Sequence, residues 1–239
     1  MIDIHSHVLP GIDDGAEDLP ESVAMCRRAA EDGCTAIIAT PHQRHRLWWN
    51  AESDDLHQLR GLVQSELDGE IQILGGAEIR VDSELLDDLD AGVTTPLAGS
   101  RYLLVEFARS GFGPVPEDTI HELSVAGWRP ILAHPELLPW LAEDIPRLTQ
   151  LVELGALLQI TAMSVTGEFG QRPQRAVHGL LEARLPHFMA SDCHGMATRP
   201  PGLSAARELV SQRWGSELAQ RLTEIHPRAI LEDSELPPW

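Results

Sequence analysis

The feature that most constrains the fold is a regular alternation of short apolar segments with helical segments along the 239 residues. The seven apolar segments have the length and composition of buried strands, and they span residues 2–8, 35–39, 71–77, 102–107, 130–134, 156–161 and 187–192. Strands that alternate with helices form a parallel sheet, and seven of them favour a closed or nearly closed α/β barrel. No linker or repeat divides the chain, so we predict one domain over residues 1–239.

The helices predicted between these strands begin and end at recognisable signals. Pro20 lies in the first turn of the first helix, and Gly33 follows its end. The predicted helical spans are residues 20–32, 51–67, 82–89, 116–126, 145–154 and 174–183, then 201–231 with a turn at residue 215. Residues 43–50 lack a regular pattern and predict a loop beside the functional site. We expect its adjacent Trp48 and Trp49 to contact the substrate, with packing onto the barrel as the alternative.

Charge and cysteine content exclude several classes of protein. The 18 basic residues, all of them arginine, face 37 acidic residues, which gives a net charge of −19. Such a surface repels polyanions, so nucleic acid is not an expected partner, and chemistry that needs lysine is excluded. No apolar run is long enough to span a membrane, and no secretory signal precedes the first strand. The three cysteines are unpatterned, which favours a reducing cytoplasm.

The first predicted strand carries a His-x-His pair. Residues of even number from Ile2 to Val8 alternate with polar ones, so His5 and His7 project from one face of the strand and their imidazoles can converge on one ion. A glycine-containing turn then brings Asp13 and Asp14 back towards the end of the strand. By itself this pair is equally compatible with two unrelated histidines, and the later strands decide between these interpretations.

Polar residues with metal-binding side chains follow or end most of the predicted strands. The candidate ligands are His5, His7, Asp14, His42, Glu78, Glu106, His134, Asp192 and His194. A barrel collects the carboxyl ends of its strands around one mouth, so these nine side chains are expected to converge. Nitrogen and oxygen donors without cysteine suit manganese, iron or zinc, and nine are too many for one ion. We therefore expect two or three ions with a bridging carboxylate.

Individual residues differ in how strongly the sequence supports a ligand role. Glu106 lies inside the apolar run of residues 102–107, where an unpaired carboxylate would be costly, so a ligand role is favoured; His134 is similar. The remaining histidines are expected to be surface or core residues, namely His45, His57, His121, His178, His187 and His226. Solvated or helix-capping roles are expected for the acidic residues Asp13, Glu17 and Asp18.

Taken together, these motifs resemble the PHP (polymerase and histidinol phosphatase) superfamily and, within it, the CpsB/CapC family of bacterial metal-dependent protein-tyrosine phosphatases. The matching segments, in family order, are Asp3–His7, Asp13–Gly15, Ala39–His42, Gly76–Ile79, Tyr102–Phe107, Ala133–Glu136, Ala190–His194 and Arg199–Pro201. The resemblance implies a distorted (β/α)7 barrel with three metal ions, usually manganese. It also implies three ligand sets: His5, His7, Glu78 and Asp192; Glu78, Glu106 and His134; and Asp14, His42 and His194.

The resemblance further implies hydrolysis of phosphotyrosine by a metal-bound hydroxide, with Asp192, His194 and Arg199 in the catalytic set and the Arg199 guanidinium holding the phosphate. The implied partner is the phosphotyrosine-containing tail of a bacterial tyrosine kinase that controls polysaccharide export. A small-molecule phosphatase of histidinol-phosphatase type and a non-catalytic metal-binding regulator are the alternatives, while the acidic surface argues against a proofreading nuclease. Leu137 departs from the family, which often has arginine there.

Two features near the predicted phosphate site need separate interpretation. Because Leu137 cannot bind phosphate, Arg199 is expected to carry more of this role, with Arg44, Arg46 or Arg109 as substitutes. The segment from Cys193 to Arg199 also matches Cys-x5-Arg, the pattern of cysteine-dependent tyrosine phosphatases. We predict that this match is a coincidence, because alternation along an extended segment turns Cys193 away from its neighbouring ligands.

Overall fold

The computed structural model describes residues 1–48, 50 and 54–237, and it confirms an α/β fold built on parallel strands. The strands are Ile2–Ser6 (β1), Ala36–Ala39 (β2), His42–Gln43 (β3), Gln72–Gly75 (β4), Glu78–Arg80 (β5), Tyr102–Glu106 (β6), Arg129–Ala133 (β7), Leu157–Thr161 (β8) and Phe188–Ala190 (β9). All pairings between neighbouring strands are parallel.

The seven predicted strands correspond to nine segments because two of the strand positions are interrupted. Thr40 and Pro41 separate β2 from β3, and proline has no amide hydrogen to donate to a ladder. Gly76 and Ala77 separate β4 from β5, and a Cβ atom on Gly76 would lie only 2.7 Å from a side-chain carbon of Ile38. As a result the strands form two sheets, in the orders β1-β2-β4 and β3-β5-β6-β7-β8-β9.

The first and last strands of the chain lie side by side at their carboxyl ends. Ser6 forms a parallel bridge with Cys193, and the His7 amide donates to the Cys193 carbonyl at 3.0 Å. The Asp192 amide donates to the His5 carbonyl at 2.9 Å. These contacts bring the ligands near the start of the chain, His5 and His7, next to those near its end, Asp192 and His194. Among the described residues, the regular strand ladders still form two separate sheets.

Helices follow most of the strands, as predicted. The helices are Leu19–Glu31 (α1), Asp54–Ser65 (α2), Leu85–Asp90 (α3), Pro116–Val125 (α4), Ile145–Glu153 (α5), Ala162–Thr166 (α6), Gln171–Glu182 (α7), Ser204–Trp214 (α8), Ser216–Gln220 (α9) and His226–Leu231 (α10). The short α6 was not predicted. A break at residue 215 and a π-helical turn over Arg221–Ile225 divide the helical segment predicted for 201–231. No helix of the described chain is both long and apolar enough to span a bilayer.

Alternate residues of the strands belong to two apolar clusters. One set, which includes Ile4, Ile38, Leu104 and Phe188, packs around Ile230 of α10. The other set belongs to the larger cluster with the helices and includes strand residues 37, 103, 132 and 160. Strands covered on both faces in this way leave only their ends for function. Most of the predicted ligands lie at or just after the carboxyl ends of β1, β6, β7 and β9, whereas His42 and Glu78 begin the short strands β3 and β5.

Candidate metal centre

The carboxyl ends of the long strands, the loops after them and the first residues of β3 and β5 bring all nine predicted ligands into one region. Each of the nine belongs to at least one group of ligand atoms that lie within 4.8 Å of one another. The four groups among the described residues are His7, Asp14, His42 and His194; His5, His134 and Asp192; His5, His7 and Glu78; and His42, Glu78 and Glu106. The convergence expected from barrel topology is therefore present.

His5 and His7 lie at the bottom of the site, and both are fully buried. Their Nε2 atoms are 3.2 Å apart, and His5 Nε2 lies 3.5 Å from Glu78 Oε2 and 3.3 Å from Asp192 Oδ1. Two imidazole nitrogens that face each other at this distance need a proton or a cation between them. The arrangement therefore fits a metal ion.

Glu78 lies beside four histidines of the centre. One of its oxygens lies 2.8 Å from His134 Nε2, and the other lies 2.9 Å from His42 Nδ1. It is almost completely buried, and both oxygens face histidines that come from different strands. A carboxylate with two differently directed oxygens is suited to bridge two ions, as predicted.

Asp14 lies at the outer edge of the centre. Its Oδ1 atom is 3.3 Å from Nε2 of both His42 and His194. The three residues of this predicted ligand set therefore lie together, joined by His7. The predicted second set is divided differently, because Glu106 groups with Glu78 and His42 whereas His134 groups with His5 and Asp192. The assignment of ligands to individual ions remains a prediction.

The raised pKa values of two histidines show that the acidic side chains of the centre favour positive charge beside them. Burial by itself lowers the pKa of His42, but Asp14 and Glu78 outweigh it and raise that pKa to about 11. Burial also lowers the pKa of His7, and the Asp13 carboxylate overcomes this effect to raise it to about 9. Burial and then the charge of Glu78 raise the pKa of the Glu106 carboxyl. The acidic side chains that raise these histidine pKa values would favour a metal ion at the same nitrogens, and the donor set fits hard or borderline cations.

Two supporting residues were missed in the sequence. Asp13 was predicted to be solvated or capping, which is wrong, because its side chain is only 1% exposed and its Oδ2 atom accepts from His7 Nδ1 at 2.8 Å. His5 Nδ1 donates to Gln159 Oε1 at 2.9 Å. Such bonds turn Nε2 of each ring towards the centre. The signal that could have identified Gln159 is its polar side chain within an otherwise apolar strand. The capping role predicted for Asp18 is confirmed, because its side chain accepts from the Glu21 amide at the start of α1.

The arginines around the centre differ in their availability. A cavity of about 230 Å³ is lined by the outer ligands together with Arg80, Arg109, Leu137 and Arg199. Arg199 pairs with Asp192, and Arg80, which the sequence did not single out, lies 2.8 Å from a Glu106 oxygen. Arg109 is exposed and has no ion pair within the described part of the chain. It therefore presents a cation to the cavity.

One proposed substitute for the missing arginine is excluded. Arg44 is buried and pairs with Asp82 and Asp88, so it is not available to a phosphate group. Arg46 is exposed and does not line the cavity. The reason lies in the path of the loop, which turns the Arg44 side chain towards the acidic residues around α3.

The loop after β3 forms one wall of the cavity. Trp48 stacks on His42 with ring centroids 5.3 Å apart, and it also stacks on His45 at 4.9 Å. His45 lines the cavity but belongs to none of the candidate ligand groups of the described residues, and neither do the five other histidines predicted to be non-ligands. Trp49 lies outside the described residues. Trp48 therefore both packs against a ligand and faces the cavity.

Cys193 does not face the centre. It is completely buried in the large apolar cluster, and burial raises the pKa of its thiol well above the ordinary value. A nucleophilic cysteine requires the opposite shift. Arg199 also pairs with Asp192 rather than approaching the sulfur. The prediction that the Cys-x5-Arg match is a coincidence agrees with this environment.

The sequence matches one family of known proteins over nearly its full length. The CpsB/CapC family of capsular polysaccharide synthesis matches residues 1–232. The tyrosine-protein phosphatase YwqE of Bacillus subtilis (strain 168) is 37% identical over 227 residues, 94% of this chain and 89% of that protein. The tyrosine-protein phosphatase CpsB of Streptococcus pneumoniae is 29% identical over 241 residues, 98% and 99% of the two chains.

Solved structures agree with the sequence comparison. One solved structure is described as that of YwqE from Bacillus subtilis and CpsB from Streptococcus pneumoniae, metal-dependent tyrosine phosphatases. It has a TM-score of 0.93 at 34% identity and covers 99% of this chain and 96% of that one. The phosphotriesterase of Mycobacterium tuberculosis, at 12% identity and a TM-score of 0.59 over 98% and 93% of the two chains, shares the fold alone. The predicted resemblance is confirmed: the chain belongs to the CpsB/CapC family.

Proposed function

We propose that this protein is a metal-dependent phosphatase that hydrolyses phosphotyrosine on a partner protein. The observation that carries the proposal is the convergence of nine nitrogen and oxygen ligands, seven of which line a cavity whose walls also hold three arginines. A ligand set that had lost members would have favoured the non-catalytic regulator. Relatives at 37% and 29% identity are named tyrosine-protein phosphatases, which supports the same activity here.

The metal is proposed to be manganese, with iron or zinc as alternatives and three ions in all. The nine residues that group in space would hold them, with Glu78 as the bridge. When bound, such ions supply an activated water and neutralise the charge on phosphoryl oxygens. We also propose that the two sheets together form a distorted (β/α)7 barrel, because the first and last strands adjoin at Ser6 and Cys193.

Arg199 is proposed to orient the phosphate. Its side chain is 27% exposed at the cavity wall, with its guanidinium 5.5 Å from the ring of Phe169 and paired with Asp192. A planar guanidinium in this position can donate two parallel hydrogen bonds to phosphate oxygens. His194 and Asp192 line the same cavity as Arg199, and we propose that they belong to the catalytic set with it. This placement allows a protein of net charge −19 to accept an anion.

The partner is proposed to be the tail of a bacterial tyrosine kinase of polysaccharide export, since the family is one of capsular polysaccharide synthesis. A screen of substrates against metals tests the function. Phosphotyrosine peptides, phosphoserine peptides and histidinol phosphate are compared with the chelated protein and after addition of manganese, iron or zinc. We expect metal-dependent hydrolysis that favours phosphotyrosine. A preference for histidinol phosphate would establish the small-molecule alternative, and no hydrolysis with metals bound would establish the regulator.

A further inference from the structure

Large apolar side chains are exposed on several of the loops that follow predicted ligands of the candidate centre. Among the described residues six such side chains are exposed, and four of them belong to loops that follow predicted ligands. Leu47 follows His42 in the loop after β3, and Phe112 follows Glu106 in the loop after β6. Val115 lies in the same loop as Phe112, whereas Met196 follows His194 and lines a separate groove against α1. We call Leu47, Phe112 and Val115 the apolar collar.

Phe112 is the most exposed member of the apolar collar, at 85%. It lines a cleft of about 130 Å³ with Phe107, Val115 and Trp140. The same loop carries Arg109, which lines the catalytic cavity. The two concave sites are therefore joined by one short segment of chain, residues 107–112, which has a cation at one end and an exposed aromatic ring at the other.

The loop after β3, which also lines the cavity, has a similar arrangement. His45 and Trp48 line the cavity, and Leu47 between them is 69% exposed. Water-exposed apolar groups that cluster at the edge of a functional site mark contacts with a partner molecule. A small phosphorylated metabolite would be held within the cavity and would not reach both loops. A polypeptide that enters the cavity with one side chain would pass over them.

We propose that the apolar collar binds the polypeptide on either side of the phosphorylated tyrosine and selects large apolar side chains there; this inference rests on the proposed function. The side chains of the collar and the charge of the protein indicate which flanking residues would bind. The collar itself carries no charge, and the chain has a net charge of −19, so strongly acidic flanking sequences are disfavoured. Arg109 lies where it can contact the phosphate or the peptide carbonyls next to it.

The test uses phosphotyrosine peptides that differ only in the flanking residues, either leucine and phenylalanine or serine and glycine. Phe112→Ser and Leu47→Ser are compared with Val125→Ser, a matched control because Val125 is 74% exposed on α4 outside the collar. The quantity measured is kcat/KM for each peptide divided by kcat/KM for para-nitrophenyl phosphate. We expect this ratio to fall about tenfold for the apolar peptide in each collar variant, the loss expected when one apolar anchor is truncated.

A binding measurement separates this inference from the proposed activity. Anisotropy of a fluorescent peptide with a non-hydrolysable phosphonate in place of the phosphate reports affinity even if no turnover occurs. Weaker binding of the apolar peptide to the collar variants, with Val125→Ser equal to the wild type, supports the collar. Equal affinity of all variants would overturn it, and the phosphatase activity could still stand. Sedimentation that shows the collar variants to change only self-association would also overturn it, because the occupant would then be a second copy.

Discussion

Replacing Asp13 by asparagine is expected to weaken metal binding without unfolding the protein. Asp13 Oδ2 accepts from His7 Nδ1 at 2.8 Å and from the His42 amide at 3.1 Å, while Oδ1 accepts from the Gly15 amide at 2.9 Å. The carboxylate thus meets three donors with two acceptor atoms. Asparagine has one acceptor oxygen and one NH2 group, so at least one of the donors must face another donor.

The cost of that mismatch can be estimated from its burial. An unsatisfied buried donor costs about 1–3 kcal/mol. If the unpaired donor is His7 Nδ1, the ring loses the bond that directs its Nε2 atom towards His5 and Glu78. Loss of a supporting bond of this kind lowers metal affinity or activity by roughly ten- to a hundred-fold. We expect Asp13→Asn to show a loss of this size in manganese affinity.

The assay is titration of the chelated protein with manganese, followed by elemental analysis at fixed free metal. Asp118→Asn is a matched control, because Asp118 is an exposed aspartate on α4. Melting of the metal-free proteins shows whether the variant is folded. Wild-type manganese affinity in folded Asp13→Asn would refute the reasoning, since neither the charge of Asp13 nor its full set of acceptors would then matter to the metal ligand His7.

Four further outcomes are expected. Elemental analysis of the manganese-loaded protein should approach three ions per chain, and Asp14→Ala should lower that number, because Asp14 joins two ligand histidines. Arg199→Ala should lower kcat/KM by roughly ten- to a hundred-fold with metal content intact, because a charge-assisted contact to phosphate is lost. Cys193→Ser should keep most of the activity, which a chelator should abolish and manganese restore, because the thiol is buried away from the centre. Burial lowers the pKa of His187 from 6.5 to about 4, so between these values the unfolded chain binds a proton that the folded chain excludes. Stability should therefore fall as pH falls through this window, and by less in His187→Asn, when followed by denaturant unfolding.

Each of these expectations has an outcome that contradicts it. One tightly held ion, together with full activity of Asp14→Ala, would remove the trinuclear centre. Unchanged kinetics of Arg199→Ala would transfer the phosphate contact to Arg109. An inactive, metal-loaded Cys193→Ser, with a wild type that resists chelation, would favour a thiolate mechanism. Parallel stability curves of His187→Asn and the wild type would show that this histidine does not titrate on unfolding.

Much of the site could be predicted because it depends on local pattern and simple topology. Apolar runs with short helices between them predict parallel strands, and the carboxyl ends of parallel strands meet at one edge. For Glu106, the cost of an unpaired carboxylate inside an apolar strand predicted a functional role, and the structure places it beside Glu78 and His42. The same pattern predicted that Cys193 points away from its neighbours, as it does.

What the tertiary structure decided concerns side chains whose partners lie in other segments. Asp14 was predicted to be a ligand and Asp13 a solvated or capping residue, but the turn after β1 directs both towards the centre: Asp13 accepts from Nδ1 of His7, and Asp14 lies beside His42 and His194. Likewise Arg44 and Arg109 both follow ligand-bearing strands, but only Arg109 lines the cavity, because acidic residues from another element pair with Arg44. Periodicity determines which face a side chain occupies; the path of the loops determines what that side chain meets.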